Sequence, residues 1–331
     1  MNETCILMPL YNDWAAAAKL IEKIDAVVAD WNDAVTVIIV DDGSQEAPDA
    51  IDGLADTCAH IQKLAVLELV CNQGHQRAIA IGLVYAYQQG RFDRVFVMDS
   101  DGEDPPAELA DLRTASRERP DAIITADRAS RSEGALFKFC YRCYKFLFGL
   151  LTGAHIRFGN FCAIPAHQLA RLVYYPALWN SLSGCIKKSN IPKHGIPSHR
   201  GLRYVGPSKM NFAALVLHGL SAISVYWDVL LVRLVAGLAI LWLITGAWLA
   251  VIVPSGLASG GAFWGLGLWL AISVLLGVAI LFLLHHLNSR ANVAFVPAWH
   301  TPPYIRQVRE LKNRSKTTST SAPSSDPSRL S

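Results

Sequence analysis

The amino-acid sequence points to an α/β domain built on a mostly parallel, Rossmann-like sheet, followed by interfacial helices and a two-helix transmembrane hairpin. Three observations carry this expectation. Short β-branched or apolar runs alternate with helical patterns through about the first 130 residues. Residues 234–284 contain no Asp, Glu, Lys, Arg or His. That charge-free stretch is interrupted near its middle by Pro254, Ser255 and Gly256, then by Ser259, Gly260 and Gly261. With 52% hydrophobic and 17% charged residues among 331, a single globular core does not account for the chain.

Five runs read as buried strands, at 5–8, 35–40, 64–70, 94–98 and 122–125, with intervening helices of the length a crossover needs. A βαβ series of this kind predicts a parallel sheet whose ligands sit beyond the carboxyl ends of its strands. Between about 133 and 152, Lys138, Arg142 and Lys145 fall on one helical face, while Phe137, Tyr141, Tyr144, Phe148 and Leu151 line another. Two readings fit that pattern: a helix lying in the membrane interface, or an amphipathic helix packed on the domain. The predicted organisation is a front domain over 1–208, a juxtamembrane interfacial helix over 209–228, two transmembrane helices within 229–287 (about 230–253 and 262–285), and a basic, partly disordered tail over 288–331.

Arg233 precedes the first span, and Arg290, Arg306, Arg309, Lys312, Arg314 and Lys316 follow the second, while the turn between them is uncharged. The positive-inside rule then places both ends on the cytoplasmic face of the inner (plasma) membrane. Residues 4–10 are too short for the apolar region of a signal peptide, and Glu3 stands where a basic start is usual. The seven cysteines, at 5, 58, 71, 140, 143, 162 and 185, imply no disulfide framework in a reducing compartment. Cys140 and Cys143 form a lone CxxC with no second pair, which reads as two small apolar residues on a helix. A net charge of +3 gives no case for nucleic acid, and the basic residues beside the spans suit anionic lipid headgroups. Residues 234–284 hold no charge for an ion or proton pathway. Trp242, Trp248, Trp264 and Trp269 suit interfacial or packing roles, and Gly265, Gly267 and Gly277 permit the close helix packing of a homo-oligomer.

The chemistry concentrates after the strands. The first is followed by Pro9-Leu-Tyr11-Asn-Asp13 and the second by Asp41-Asp-Gly-Ser44, which set carboxylates and a hydroxyl at the sheet edge, where a base N–H or a ribose hydroxyl can be bound. The fourth ends in Asp99-Ser100-Asp101-Gly-Glu103-Asp104-Pro-Pro106. Four carboxylates within six residues repel one another, whereas two at i and i+2 can chelate one hard cation beside a diphosphate. A solvated acidic turn before a Pro-initiated helix explains Glu103 and Asp104 but not Asp99.

Taken in series, Pro-x-Tyr-Asn, Asp-Asp-Gly-Ser, Asn72-x-Gly74 leading into a helix with Ala78 and Gly82, and Met98-Asp-x-Asp-x-x-Asp-Pro-Pro106 resemble the inverting GT-A-fold, family 2 glycosyltransferases. With the later segments the chain resembles their polyprenyl-phosphate branch, the dolichol-phosphate mannose synthase and bactoprenol glucosyltransferase type, to about residue 287. The resemblance implies a nucleotide-sugar donor (UDP- or GDP-linked), a polyprenyl (undecaprenyl) phosphate acceptor, and a role in cell-envelope glycan or lipid modification. Pro9, Tyr11, Asp13, Asp41 and Ser44 would hold the nucleoside, with Gln76 and Ser100 also in the donor site. Asp99 and Asp101 would bind Mg2+ or Mn2+ across the diphosphate, assisted by Glu103. Arg128 would contact sugar or phosphates, and Arg200, Arg203 and Lys209 match a basic loop that closes over the donor and meets the acceptor phosphate. Read without the resemblance, three cations before a membrane helix equally suit lipid headgroups. Several positions depart from the usual pattern: Asn160 where Asp is common, Glu103 where Gln is frequent, and His75-Gln76 where a basic residue is usual.

A lipid monophosphate, with a second pKa of about 6, is already an anionic nucleophile and needs no general base. A lipid hydroxyl acceptor would need one, from Asp104, His75 or His155. A polysaccharide synthase of the same fold would bring more spans and a Gln-x-x-Arg-Trp segment, both missing from this sequence. A catalytically silent membrane scaffold is the remaining reading, opposed by Asp99 and Asp101 and favoured by Asn160.

Overall fold

A computed structural model describes residues 2–46, 49–128, 146–153, 158–206, 212–252, 260–294 and 304–313. In chain order the front domain runs β1 (Asn2–Leu10), α1 (Trp14–Val28), β2 (Asp33–Asp41), the short turns α2 (Asp49–Asp52) and α3 (Leu54–Thr57), β3 (Lys63–Leu69), α4 (His75–Gln89), β4 (Arg94–Val97), α5 (Glu108–Glu118) and β5 (Ile123–Arg128). Then come α6, described over 146–152, β6 (Phe158–Pro165), α7 (Ala166–Val173), a 3-10 turn (Pro176–Trp179), α8 (Leu182–Lys188) and β7 (Lys193–Ser198). Helices α9 (Phe212–Ser224), α10 (Trp227–Ile252) and α11 (Gly260–Ala294) precede a last strand, β8 (Ile305–Asn313).

The eight strands form one sheet in the order β7-β5-β6-β4-β1-β2-β3-β8. β1 lies parallel to β2 and β4, β2 to β3, and β5 to β7. β6 runs antiparallel between β4 and β5, and β8 antiparallel along β3. The five strands expected from apolar runs correspond to β1 to β5, with Val70, Met98 and Ala122 one residue outside them, and the mostly parallel α/β architecture is the one the chain adopts. Apolar side chains cover both faces. One cluster joins β1 and β2 to α4, α7 and α8, and the other packs α1 and α5 against the opposite face. A Cβ at Gly82 would lie 2.5 Å from Leu7 Cδ1 and 2.7 Å from Val40 Cγ2, so glycine is what lets α4 lie close on the sheet.

β8 lies within the basic, partly disordered tail expected over 288–331, where the sequence reading placed no strand. The edge of β3 presents unpaired backbone groups that a further strand satisfies. Side chains lock the pairing: Gln307 Nε2 donates to Glu68 Oε2 at 2.6 Å, Lys63 pairs with Glu310, and Lys312 Nζ donates to the Cys58 carbonyl. Its charged, half-exposed side chains are those of a sheet edge, which is why the segment reads as a solvated tail.

α10 and α11 contain windows, Trp227–Trp248 and Phe263–His286, long and apolar enough to cross a membrane. Leu243, Phe282 and Trp264 on them are 73%, 72% and 83% exposed, which a membrane rather than water would accommodate. α10 starts at Trp227 rather than 230, and α11 continues to Ala294. Their roots join the domain through Ala222, Ile223, Tyr226, Leu230 and Leu284, all buried in the α4-side cluster. Phe148 of α6 is buried and meets Tyr226 edge-on at 5.8 Å, while Phe146 and Leu150 are exposed. Lys138, Arg142, Lys145 and the Cys140–Cys143 pair lie outside the described residues.

Candidate active site

The carboxyl ends of β1, β2 and β4 converge on one polar region. Asn12, in the left-handed conformation at φ 51°, accepts from the backbone N–H groups of Gln45 and Glu46 at 2.8 and 3.2 Å. Its own N–H donates to Ser44 Oγ at 2.8 Å. These bonds zip the loop after β1 to the loop after β2, and Ser44 N closes the second turn on Asp41 Oδ1 at 3.0 Å. The two adjacent aspartates divide the work. Asp41 stays beside Ser44, whereas Asp42 accepts from the N–H groups of Gln73 and Gly74 at 2.6 and 2.9 Å and so fixes the start of α4. Burial, opposed by those N–H groups and His75, pushes the Asp42 carboxyl up to about 6. Burial likewise raises Asp41, against the bonds from Ser44. Pro9 is buried in β1 opposite Val40, while Tyr11 is 41% exposed.

After β4, Asp104 is buried and accepts from the Asp99 N–H at 2.9 Å, so it shapes the turn rather than facing a substrate. Asp101 Oδ1 accepts from Glu103 N at 3.0 Å, and its Oδ2 from Arg203 Nη1 at 2.8 Å. The other arm of the Arg203 guanidinium pairs with Asp13, so one cation bridges the loop after β1 and the turn after β4. Arg200 binds Glu103 through Nε and Nη2 at 3.0 and 2.6 Å. The strand-to-helix segment 199–206 is laid across this turn by Gly201 N to the Glu103 carbonyl (2.8 Å) and Tyr204 N to the Asp101 carbonyl (3.0 Å). The Tyr204 ring covers Gly102, which holds φ +91°, and Lys23 Nζ caps that ring at 4.3 Å. Burial, then the neighbouring charges of Asp99 and Glu103, raise Asp101, against its bond from Glu103 N and the pull of Arg203.

Asp99 faces a second set of groups. His75 Nε2 lies 3.2 Å from Asp99 Oδ1, and Asn160 Nδ2 lies 3.4 Å from the same oxygen and 2.9 Å from His75 Nε2. The Leu182 N–H donates to Gln76 Oε1 at 2.7 Å, so Gln76 turns its amide hydrogens to Asn160 Oδ1 at 3.1 Å. Asn160 is thereby made to present its own NH2 to Asp99. Burial lowers His75, but the charges of Asp99, Asp42 and Asp101 and the bond to Asp99 outweigh it, and the net shift is upward. Gln76 orients Asn160, and the Asn-for-Asp change at 160 gives Asp99 a donor in place of a like charge.

The donor set suits Mg2+ or Mn2+. Asp99 and Asp101 offer hard carboxylate oxygens, and such ions are commonly held by one or two carboxylates completed by substrate phosphates. Among the described residues, no three His, Cys, Asp or Glu side chains form a ready-made metal cluster. Glu103, expected to assist, is engaged by Arg200 instead. Ser100 is buried, Arg128 ends β5 opposite Ser198, and Lys209 and His155 lie outside the described residues. Asn12, Asp42 and Tyr204 are the contributors that the motif reading passed over. The Asp-Asp pair was the available signal for the second.

Residues 5–169 match the family described as glycosyl transferase family 2. Curated relatives include the undecaprenyl-phosphate 4-deoxy-4-formamido-L-arabinose transferase of Pseudomonas aeruginosa, 27% identical over 130 residues, covering 39% of this chain and 37% of that one. The enzyme of the same name from Yersinia pestis is 28% identical over 155 residues, 46% of this chain and 45% of its own. The chain thus spans less than half the length of these curated relatives. Among solved structures, mannosyl-3-phosphoglycerate synthase from Rubrobacter xylanophilus aligns with a TM-score of 0.46 at 14% identity, over 68% of this chain and 72% of that one. Residues 5–169 of this chain are a glycosyl transferase family 2 domain.

Proposed function

We propose that this protein transfers a sugar, with inversion, from a UDP- or GDP-linked donor to a polyprenyl phosphate at the cytoplasmic face of the membrane. The observation that carries the reading is the bridging of Asp13 and Asp101 by Arg203, from three separate segments, with Asp99 two residues before Asp101 and the loop after β1 bonded to the Asp41–Ser44 turn. That site belongs to a domain into which two exposed apolar helices are rooted. The relatives' name supplies the lipid-phosphate acceptor class; the sugar of this chain is a separate question.

Asp41, Ser44 and Tyr11 hold the nucleoside, and Asp99 and Asp101 hold Mg2+ or Mn2+. When bound, that ion neutralises the charge developing on the leaving diphosphate. Arg203 leaves Asp101 and Asp13 as the donor arrives and, with Arg200 and Lys209, grips anionic oxygens so that the acceptor phosphate is aligned for attack at the anomeric carbon. The acceptor is already ionised near neutral pH, so no side chain has to remove a proton. A hydroxyl acceptor would need a base; His75, with its raised proton affinity beside Asp99, is the group that favours this second reading.

The test is transfer of label from a panel of UDP- and GDP-sugars to undecaprenyl phosphate by the purified full chain with Mg2+ or Mn2+. A butanol-extractable, mild-acid-labile product is expected from one donor, with at least a hundred-fold loss in Asp101→Ala. An acid-stable glycolipid would instead favour the hydroxyl acceptor, and no transfer from any donor would reject the reading.

A further inference from the structure

β8 does more than seal the β3 edge. A cavity of about 340 Å3 opens where β2 and β3 end and β8 begins, within the size range of small-ligand sites. Asp41, Ser44 and Trp14 line it from the front of the chain, Glu68 from β3, and Arg306 and Arg309 from β8. The first two are the residues assigned above to the nucleoside. A segment that lies beyond both apolar helices in sequence therefore forms a wall of the same cavity.

The register explains how. Leu69 pairs with Ile305 and Glu68 with Gln307, so one step along β3 spans two along β8, and Arg306 is the extra residue of a β-bulge. Bulges re-aim side chains and recur beside functional sites. The backbone on either side is fixed, with Val70 N donating to the Tyr304 carbonyl at 3.0 Å. The neighbouring charges are matched: Glu68 receives Gln307 Nε2 at 2.6 Å and faces Arg309 Nε at 3.2 Å. Arg306 is exposed, and the cavity that it lines also holds the Asp41 carboxylate.

We infer that Arg306 is a base-reading residue, donating to a carbonyl oxygen of the nucleobase whose adjacent ring N–H is accepted by Asp41. This inference rests on the nucleotide-sugar reading of the site. A carboxylate and a guanidinium presented together select a base edge that pairs a ring N–H with a carbonyl, as in uracil and guanine. Cytosine and adenine turn a ring nitrogen acceptor toward the carboxylate and are disfavoured. The specificity of the family 2 domain for its nucleotide is then set in part from outside residues 5–169.

The experiment is calorimetric titration of the full chain, wild type, Arg306→Ala and Arg306→Lys, with UDP, GDP, CDP and inorganic diphosphate in the presence of Mn2+. Wild type is expected to bind UDP or GDP more tightly than CDP. Arg306→Ala is expected to weaken that nucleotide roughly ten-fold, the worth of one hydrogen bond to a charged group, with inorganic diphosphate unchanged and Arg306→Lys intermediate. Equal UDP and GDP affinity in wild type and Arg306→Ala would overturn the inference while leaving the nucleotide-sugar reading intact. An equal loss for diphosphate would overturn it too, by placing Arg306 on the phosphates or the fold. Failure of wild type to bind either nucleotide would remove the nucleotide-sugar reading and this inference with it.

Discussion

Asp41 and Asp42 are neighbours in sequence with different duties, and only their environments separate them. Asp42 is 3% exposed and spends both oxygens on the backbone of residues 73 and 74, so the Asn-x-Gly turn that starts α4 is held by a carboxylate from β2. The motif announces that both aspartates matter; which of them faces the cavity follows from the strand register and the turn at Ser44, which a linear reading does not supply. The same is true of Asn160, whose meaning depends on Gln76, and through it on the Leu182 N–H, 106 positions from Gln76 in sequence. Asp42 also leaves a pH signature. Its carboxyl titrates near 6 when folded against an ordinary 3.8, so between those values the folded chain binds more protons than the unfolded one. The stability contributed by this group is complete below about pH 4 and is lost as pH rises through 6. Asp42→Asn cannot titrate, so its melting temperature measured against that of wild type should gain progressively from pH 4 to pH 7. A difference that stays constant over that interval would contradict the burial argument.

Among the elements, legibility followed burial. β1 to β5 are short apolar runs because they lie in the covered interior of the sheet, and they were readable for that reason. β6 carries Gly159, Asn160 and Pro165, β7 carries Gly195 and Pro197 at a sheet edge, and β8 spaces its apolar Ile305, Val308 and Leu311 three apart among charged and amide residues, so none shows the periodicity of a strand. Their pairing comes from partners distant in sequence. The segment 199–206 is legible from its residues as basic, and as a cover only through the family resemblance; its place is set by Tyr204 lying on Gly102, where a Cβ would come within 2.7 Å of the ring at a φ that side chains rarely adopt. Gly102→Ala should therefore displace the segment and cost about 1–3 kcal/mol, a fall of several degrees in melting temperature. The distinguishing readout is trypsin. Arg200 and Arg203 are held in ion pairs with Glu103, Asp13 and Asp101, and freeing them should speed cleavage at both sites, whereas an unchanged digestion pattern would mean the cover stays in place without its glycine.

The sheet and the apolar helices constrain each other. The Trp227–Trp248 and Phe263–His286 windows, 22 and 24 residues long, extend about 33 and 36 Å at helical rise, enough for the hydrocarbon of a bilayer, and almost none of their residues are covered by the domain. Because β8 pairs with β3, the chain that leaves the domain at α9 must come back to it after α11. Two crossings would satisfy this and one would not, so the prediction, which the placement of the basic residues shares, is that the uncharged segment between the helices lies on the side opposite the domain. A protease-protection experiment on membrane vesicles reads this directly, with one epitope before Met1, one after Ser331 and one inserted at residue 256. In inverted inner-membrane vesicles the two terminal epitopes should be digested together and the turn epitope protected, and in right-side-out spheroplasts the pattern should reverse. Opposite behaviour of the two termini would place β8 across the membrane from β3 and break the sheet described here, and the wall that β8 gives to the nucleoside cavity would fall with it.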